Sequence, residues 1–63
     1  METFYINNIT EEIHRSNCIY VKNPNIIFLG SFNSSQDAIV YAILGGKSNA
    51  DGCAHCCPEL HTK

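Results

Sequence analysis

The chain has 63 residues, a formal net charge of −2 and a 44% hydrophobic content, enough for a single domain over residues 1–63 that buries roughly 60% of its unfolded surface. Burial on that scale is nearly cancelled by chain entropy, so a disulfide or metal staple is expected. The four basic residues, Arg15, Lys22, Lys47 and Lys63, are scattered, which disfavours a phosphate-backbone ligand needing clustered cations.

Met1-Glu2-Thr3-Phe4 lacks the basic and then apolar pattern of a secretory signal. No run approaches the roughly 18 apolar residues of a membrane span. A soluble, cytoplasmic protein with reduced thiols is therefore expected, in which clustered cysteines are ligands more often than bridges. A bond between the adjacent Cys56 and Cys57 would be strained.

In chain order, Thr3 to Ile6 has the aromatic and β-branched content of a strand. Asn7-Asn8-Ile9-Thr10 reads as a turn, because successive asparagines tolerate left-handed backbone angles. Glu11-Glu12-Ile13-His14 can then return antiparallel, delivering His14 to the end of a hairpin. Ile19-Tyr20-Val21 fits either a tight helical turn or a strand extension, and Lys22-Asn23-Pro24-Asn25 reads as a loop. Ile26 to Phe32 is the strongest strand signal. Alternation puts Ile26, Phe28 and Phe32 on one face and Ile27 and Leu29 on the other, and two apolar faces predict a central strand. A helix is predicted from Asn33 or Ser34, with Ser34-Ser35-Gln36-Asp37 in capping-box form. Ala38 to Leu44 is apolar without a break, and Gly45-Gly46 supplies the stop. Such a helix is either packed on two sides or leaves Val40, Tyr41 and Leu44 as an apolar patch for a partner. Lys47 to Gly52 reads as a surface loop.

The cysteines carry the chemistry. Three of the four fall at Cys53, Cys56 and Cys57, and the fourth closes His14-Arg15-Ser16-Asn17-Cys18. Zinc prefers thiolate sulfur and imidazole nitrogen in a tetrahedron, and a Cys-x2-Cys turn can aim two sulfurs at one ion. His14, Cys18, Cys53 and Cys56 thus form a predicted Cys3His site for Zn2+. With all four positions filled by protein, such a site is structural and not hydrolytic. Asp51 and His61 are the first substitutes should His14 be an ordinary surface histidine. Cys57 reads as a neighbouring thiol more than as a ligand, His55 as pointing to solvent, and His61 as part of a fraying tail. Tyr5, Tyr20 and Tyr41 read as packing residues, and Glu11 and Glu12 as solvated charge on opposite faces.

The order of hairpin, ligand-x3-Cys step, strand, capped helix with Ala38-Ile39, glycine, and Cys53-Ala54-His55-Cys56 with Pro58 resembles the metal-binding domain of the Ada DNA-alkylation repair protein, above all its short stand-alone forms. The likeness runs through Phe4-Tyr5, His14-Arg15-Ser16-Asn17-Cys18 and Ser35-Gln36-Asp37-Ala38-Ile39. It implies the same ligands, His14, Cys18, Cys53 and Cys56. In the repair protein the first ligand is the cysteine that accepts a methyl group from a DNA phosphotriester, and an imidazole at His14 cannot make that displacement. The segment Gly46 to Gly52 is also longer and less basic than the family's lead-in.

The expected fold is α+β, a small antiparallel sheet of about three strands with one packed helix, stapled by zinc. The expected role is non-enzymatic, an interaction module with an unknown protein partner or one that self-associates through helix residues 38–44. The alternatives are a nucleic-acid-associated module of a larger assembly, and a precursor peptide whose cysteine-rich tail is modified.

Overall fold

A computed structural model describes residues 1–61. Its elements are β1 (Glu2–Asn7), β2 (Glu12–Arg15), a 3-10 turn (Ile19–Lys22), β3 (Ile26–Phe32), α1 (Ser35–Leu44), β4 (Asp51–Gly52) and a second 3-10 turn (Pro58–Leu60). The fold is α+β as expected. The sheet order is β3-β1-β2-β4, with β1 antiparallel to both β2 and β3.

The β1–β2 turn forms by a different device from the one expected. Asn7 acts through its side chain, whose Oδ1 accepts from the Ile9 and Thr10 amides at 2.8 and 3.0 Å, an Asx turn that replaces backbone pairing where the strand ends. The left-handed residue is Glu11, at φ 63°. Its carbonyl accepts from the Asp51 amide at 3.2 Å and its Oε1 from the Asn49 amide at 3.0 Å. Glu11 is thus a connector between two distant segments and not merely solvated charge.

β3 is an edge strand, not the central one. β1 already pairs with β2 through the hairpin, so β3, arriving after a long connection, adds to the free side of β1. Its alternation is also interrupted. Phe4 pairs with Gly30 and Tyr5 with Phe28, which leaves Leu29 as the extra residue of a bulge and reverses the facing of what precedes it. Leu29 and Phe32 consequently pack on the core, while Phe28 stands with Tyr5 in an edge-on ring contact of 5.9 Å. Phe28 and Ile27 are exposed.

Residues Asp51 and Gly52, expected within a surface loop, are buried and form β4, parallel to β2. Gly52 is required by close approach. A Cβ there would lie 2.5 Å from Leu60 Cβ and 2.7 Å from the Cys57 carbonyl oxygen.

The helix follows its sequence signals closely. Ser34 caps it, its hydroxyl accepting from the Asp37 amide at 3.2 Å. At the other end Lys47 N–H reaches the Ala42 carbonyl and Gly46 N–H the Ile43 carbonyl, a Schellman closure that needs the φ of 102° at Gly46. The helix packs through small residues. Ser35, Ala38 and Ala42 are buried, with Ala38 and Ala42 joining Phe4, Ile6, Ile13 and Cys57 in the core. Ile39 packs against that core, while the other large apolar residues point outward: Val40 is 46% exposed, Tyr41 56%, Ile43 47% and Leu44 83%. Tyr41 keeps one contact inward, its ring 5.1 Å from that of Phe32. Among the described residues no helix is long and apolar enough to cross a membrane.

Candidate metal centre

His14 comes from a strand, and its partners come from turns anchored to that strand. In β2, Ile13 and Arg15 alternate with His14, and the register sets His14 opposite Tyr5. After β2 the chain turns sharply, with Cys18 N–H bonded to the Arg15 carbonyl at 3.0 Å, which brings Cys18 back beside His14. The other half is fastened by β4. Cys53 N–H donates to the Ile13 carbonyl at 3.0 Å, extending the parallel ladder, and Cys57 N–H donates to the Cys53 carbonyl at 2.8 Å, closing the Cys-x2-Cys turn.

His14, Cys18, Cys53 and Cys56 converge, with one ligand atom from each lying within 4.8 Å of all the others. The Cys18 and Cys56 sulfurs are 3.7 and 4.0 Å from His14 Nδ1. A tetrahedral ion with bonds of about 2.3 Å to sulfur holds its ligand atoms about 3.8 Å apart, so the spacing and the soft donors both fit a metal ion. His14, Cys18 and Cys53 are at most 4% exposed. Cys56 is half-buried and faces a cleft of about 420 Å³ lined by Arg15, Asn17, Cys18, Ile19, His55 and itself.

The surroundings favour deprotonated sulfur once a cation is present. Backbone N–H groups point at two sulfurs, Arg15 N–H at Cys56 Sγ (3.3 Å) and His55 N–H at Cys53 Sγ (3.4 Å), and such donors stabilise thiolate ligands. Without an ion, burial dominates. It pushes the Cys56 thiol well above its ordinary range and holds His14 below the usual histidine value, so these two groups prefer to be neutral. Three thiolates and a divalent cation leave one net negative charge, and the nearest cation is Arg15.

Arg15 is the residue whose role was hardest to see in the sequence. Its guanidinium donates to the Cys56 carbonyl and to Cys57 Sγ at 3.4 Å. It also pairs with Glu2 at 3.0 Å and Glu59 at 3.2 Å. Glu59 in turn accepts from Ser35 Oγ at 2.6 Å, and that hydrogen bond, above all, lowers its pKa. One carboxylate therefore ties the first turn of α1 to the arginine that grips the Cys-x2-Cys turn. The adjacency of Arg15 to His14 was the available signal.

The remaining candidates fall outside the cluster. Cys57 is fully buried in the core, its sulfur 3.8 Å from that of Cys56. His55 is exposed as expected, its ring 5.8 Å from Tyr20, which also lies 6.2 Å from the His14 ring. His61 does not fray. Its Nδ1 is 3.0 Å from the Gly52 carbonyl oxygen and 3.5 Å from Asp51 Oδ2, so the two substitute ligands engage each other instead. No family model, curated protein or solved structure matches this chain.

Proposed function

We propose that the chain is a structural zinc domain, Ada-like in layout but without the repair chemistry, that presents the outer face of α1 to a protein partner. The observation that carries this reading is the convergence of one imidazole and three thiols within 4.8 Å. Zinc suits that set because it is borderline-soft, takes four ligands without geometric preference and accepts both nitrogen and sulfur. Four protein ligands leave no position for water or substrate, which supports a non-enzymatic role. The methyl-acceptor position of the family is His14, which has no thiolate to offer.

The second half of the reading rests on α1. An uncharged surface formed by Val40, Tyr41, Ile43 and Leu44, each at least 46% exposed, is large for a domain with a total accessible surface of 3836 Å², and contiguous apolar patches mark interaction sites. Arg15, the cation nearest the metal centre, is matched by Glu2 and Glu59, which weighs against a nucleic-acid contact there. Native mass spectrometry of the reduced chain tests both halves. One zinc per chain is expected, with dimers or a captured partner. A zinc-free folded chain would overturn the metal reading, and a strict monomer that captures nothing would overturn the interaction reading.

A further inference from the structure

Resting on the metal-centre reading, we propose that Cys57 is a reserve ligand: where His14 is lost, or the ion is softer than zinc, Cys57 completes an all-thiolate set with Cys18, Cys53 and Cys56. Its sulfur lies 3.8 Å from Cys56 Sγ, the separation of about 3.8 Å that two thiolates adopt on one tetrahedral ion. His14 Nδ1 stands at 4.0 Å from that same sulfur. Both side chains therefore flank Cys56 at ligand spacing, and only one can complete a four-coordinate site.

Reach and charge both favour the exchange. Cys57 stands just outside the set whose ligand atoms lie within 4.8 Å of one another, and rotation about one side-chain torsion moves a cysteine sulfur by about 3 Å between staggered positions. Cys57 also sits at the start of a short 3-10 turn, whereas His14 is fixed by strand pairing to Tyr5. A fourth thiolate adds a negative charge, and the Arg15 guanidinium is already 3.4 Å from Cys57 Sγ and bonded to the Cys56 carbonyl. Cys57 gives up its S–H proton to water as it coordinates, and no electrons change hands. Of the other ligand-type side chains nearby, His61 is engaged with Asp51 and Gly52, and Glu12 and His55 offer a carboxylate and an imidazole, harder donors than the Cys57 sulfur. An all-sulfur set suits cadmium or monovalent copper better than a mixed one does.

Cobalt(II) titration of the full chain under reducing conditions is the test, because sulfur-to-cobalt charge-transfer absorption scales with the number of thiolates bound. The unsubstituted chain and Cys57→Ser should give the same three-thiolate intensity. His14→Ala should still bind one ion, with charge-transfer absorption about one third stronger, and H14A/C57S should bind at least about tenfold more weakly than H14A. Equal binding by H14A and H14A/C57S, or three-thiolate intensity in H14A, overturns the proposal and leaves the metal centre standing. Failure of the unsubstituted chain to give a tetrahedral cobalt spectrum overturns both. Should His14→Ala fail to fold, cadmium decides: its sulfur charge-transfer absorption should be about one third stronger in the unsubstituted chain than in Cys57→Ser, and equal absorption overturns the proposal.

Discussion

At the scale of single residues, the four converging ligands differ from their neighbours in what their loss should do. Serine at Cys18, Cys53 or Cys56 removes a thiolate from a site that has no spare within the cluster, and stoichiometric zinc binding should fall by at least about 100-fold. Serine at Cys57 should leave zinc affinity within about threefold, because His14 fills the fourth position. A chelator competition on all four variants ranks them, and loss of the metal in Cys57→Ser with binding kept in Cys56→Ser would mean that the zinc ligand set is displaced by one residue. Gly52 makes a prediction of another kind. A methyl group there meets the Cys57 carbonyl and Leu60, so Gly52→Ala should cost about 1–3 kcal/mol, read from the denaturant midpoint of the metal-loaded chain. The residues of the converging cluster were legible in the sequence because metal chemistry selects residue types at short spacings. Arg15 was not, since its role depends on a segment some forty residues away, and Gly52 was not, since nothing in the sequence shows that Cys57 and Leu60 fold back against it.

At the scale of elements, what the sequence specified well was local. The Ser34 cap, the Gly46 closure and the β1–β2 hairpin each depend on residues within one turn of each other, and each formed where its signals lay. Sheet order is not local. The apolar run from Ile26 to Phe32 suggested a central strand, yet its outer side chains are accommodated at an edge by the Leu29 bulge and the Tyr5–Phe28 contact. Residues Asp51 and Gly52 carry no strand signal, and they become β4 because Glu11 and Ile13 offer carbonyls to the Asp51 and Cys53 amides. The helix supplies the functional test at this scale. Its fully buried stripe is alanine and serine, with Ile39 packed partly against the core, so Val40, Tyr41, Ile43 and Leu44 remain outside it. Val40→Glu or Leu44→Glu should therefore abolish self-association in sedimentation while zinc stays bound and the helix stays folded, because the new charge would have to be desolvated only in the assembly. Unchanged association in both variants would place the contact elsewhere. Glu59→Gln should act from the opposite side of the same helix. It weakens the link from Ser35 to Arg15, and amide exchange in the first turn of α1 should quicken without loss of the metal.

At the scale of the whole molecule, the proposed metal binding would be coupled to folding. The core consists of a few side chains, with Phe4, Ile6, Ile13 and Cys57 the largest that are fully buried, and the Cys-x2-Cys turn contributes Cys57 to it directly. Removing the ion leaves buried thiols and an imidazole joined only by weak sulfur hydrogen bonds, so a chelator under reducing conditions should collapse amide dispersion across the chain, α1 included. The pH dependence has a definite sign. In the folded state burial holds the His14 pKa below its ordinary value of 6.5, and coordination to an ion would hold it lower still, so between the folded and unfolded values the unfolded chain binds more protons. Stability then rises with pH across that window and is lost as pH falls through it. Glu59 adds a second loss in the same direction at lower pH, since its Ser35 and Arg15 contacts hold its pKa below 4.5. The ion steepens the dependence further. Three thiols lose protons on binding, and each released proton changes apparent zinc affinity by about tenfold per pH unit where those thiols are protonated in the free chain. Chelator competition between pH 8 and pH 6 should therefore show affinity falling by about 100-fold or more per unit, with unfolding following the metal loss. A slope of one proton or fewer would mean that the ligand thiols are already ionised without the ion, contrary to the effect of burial on Cys56.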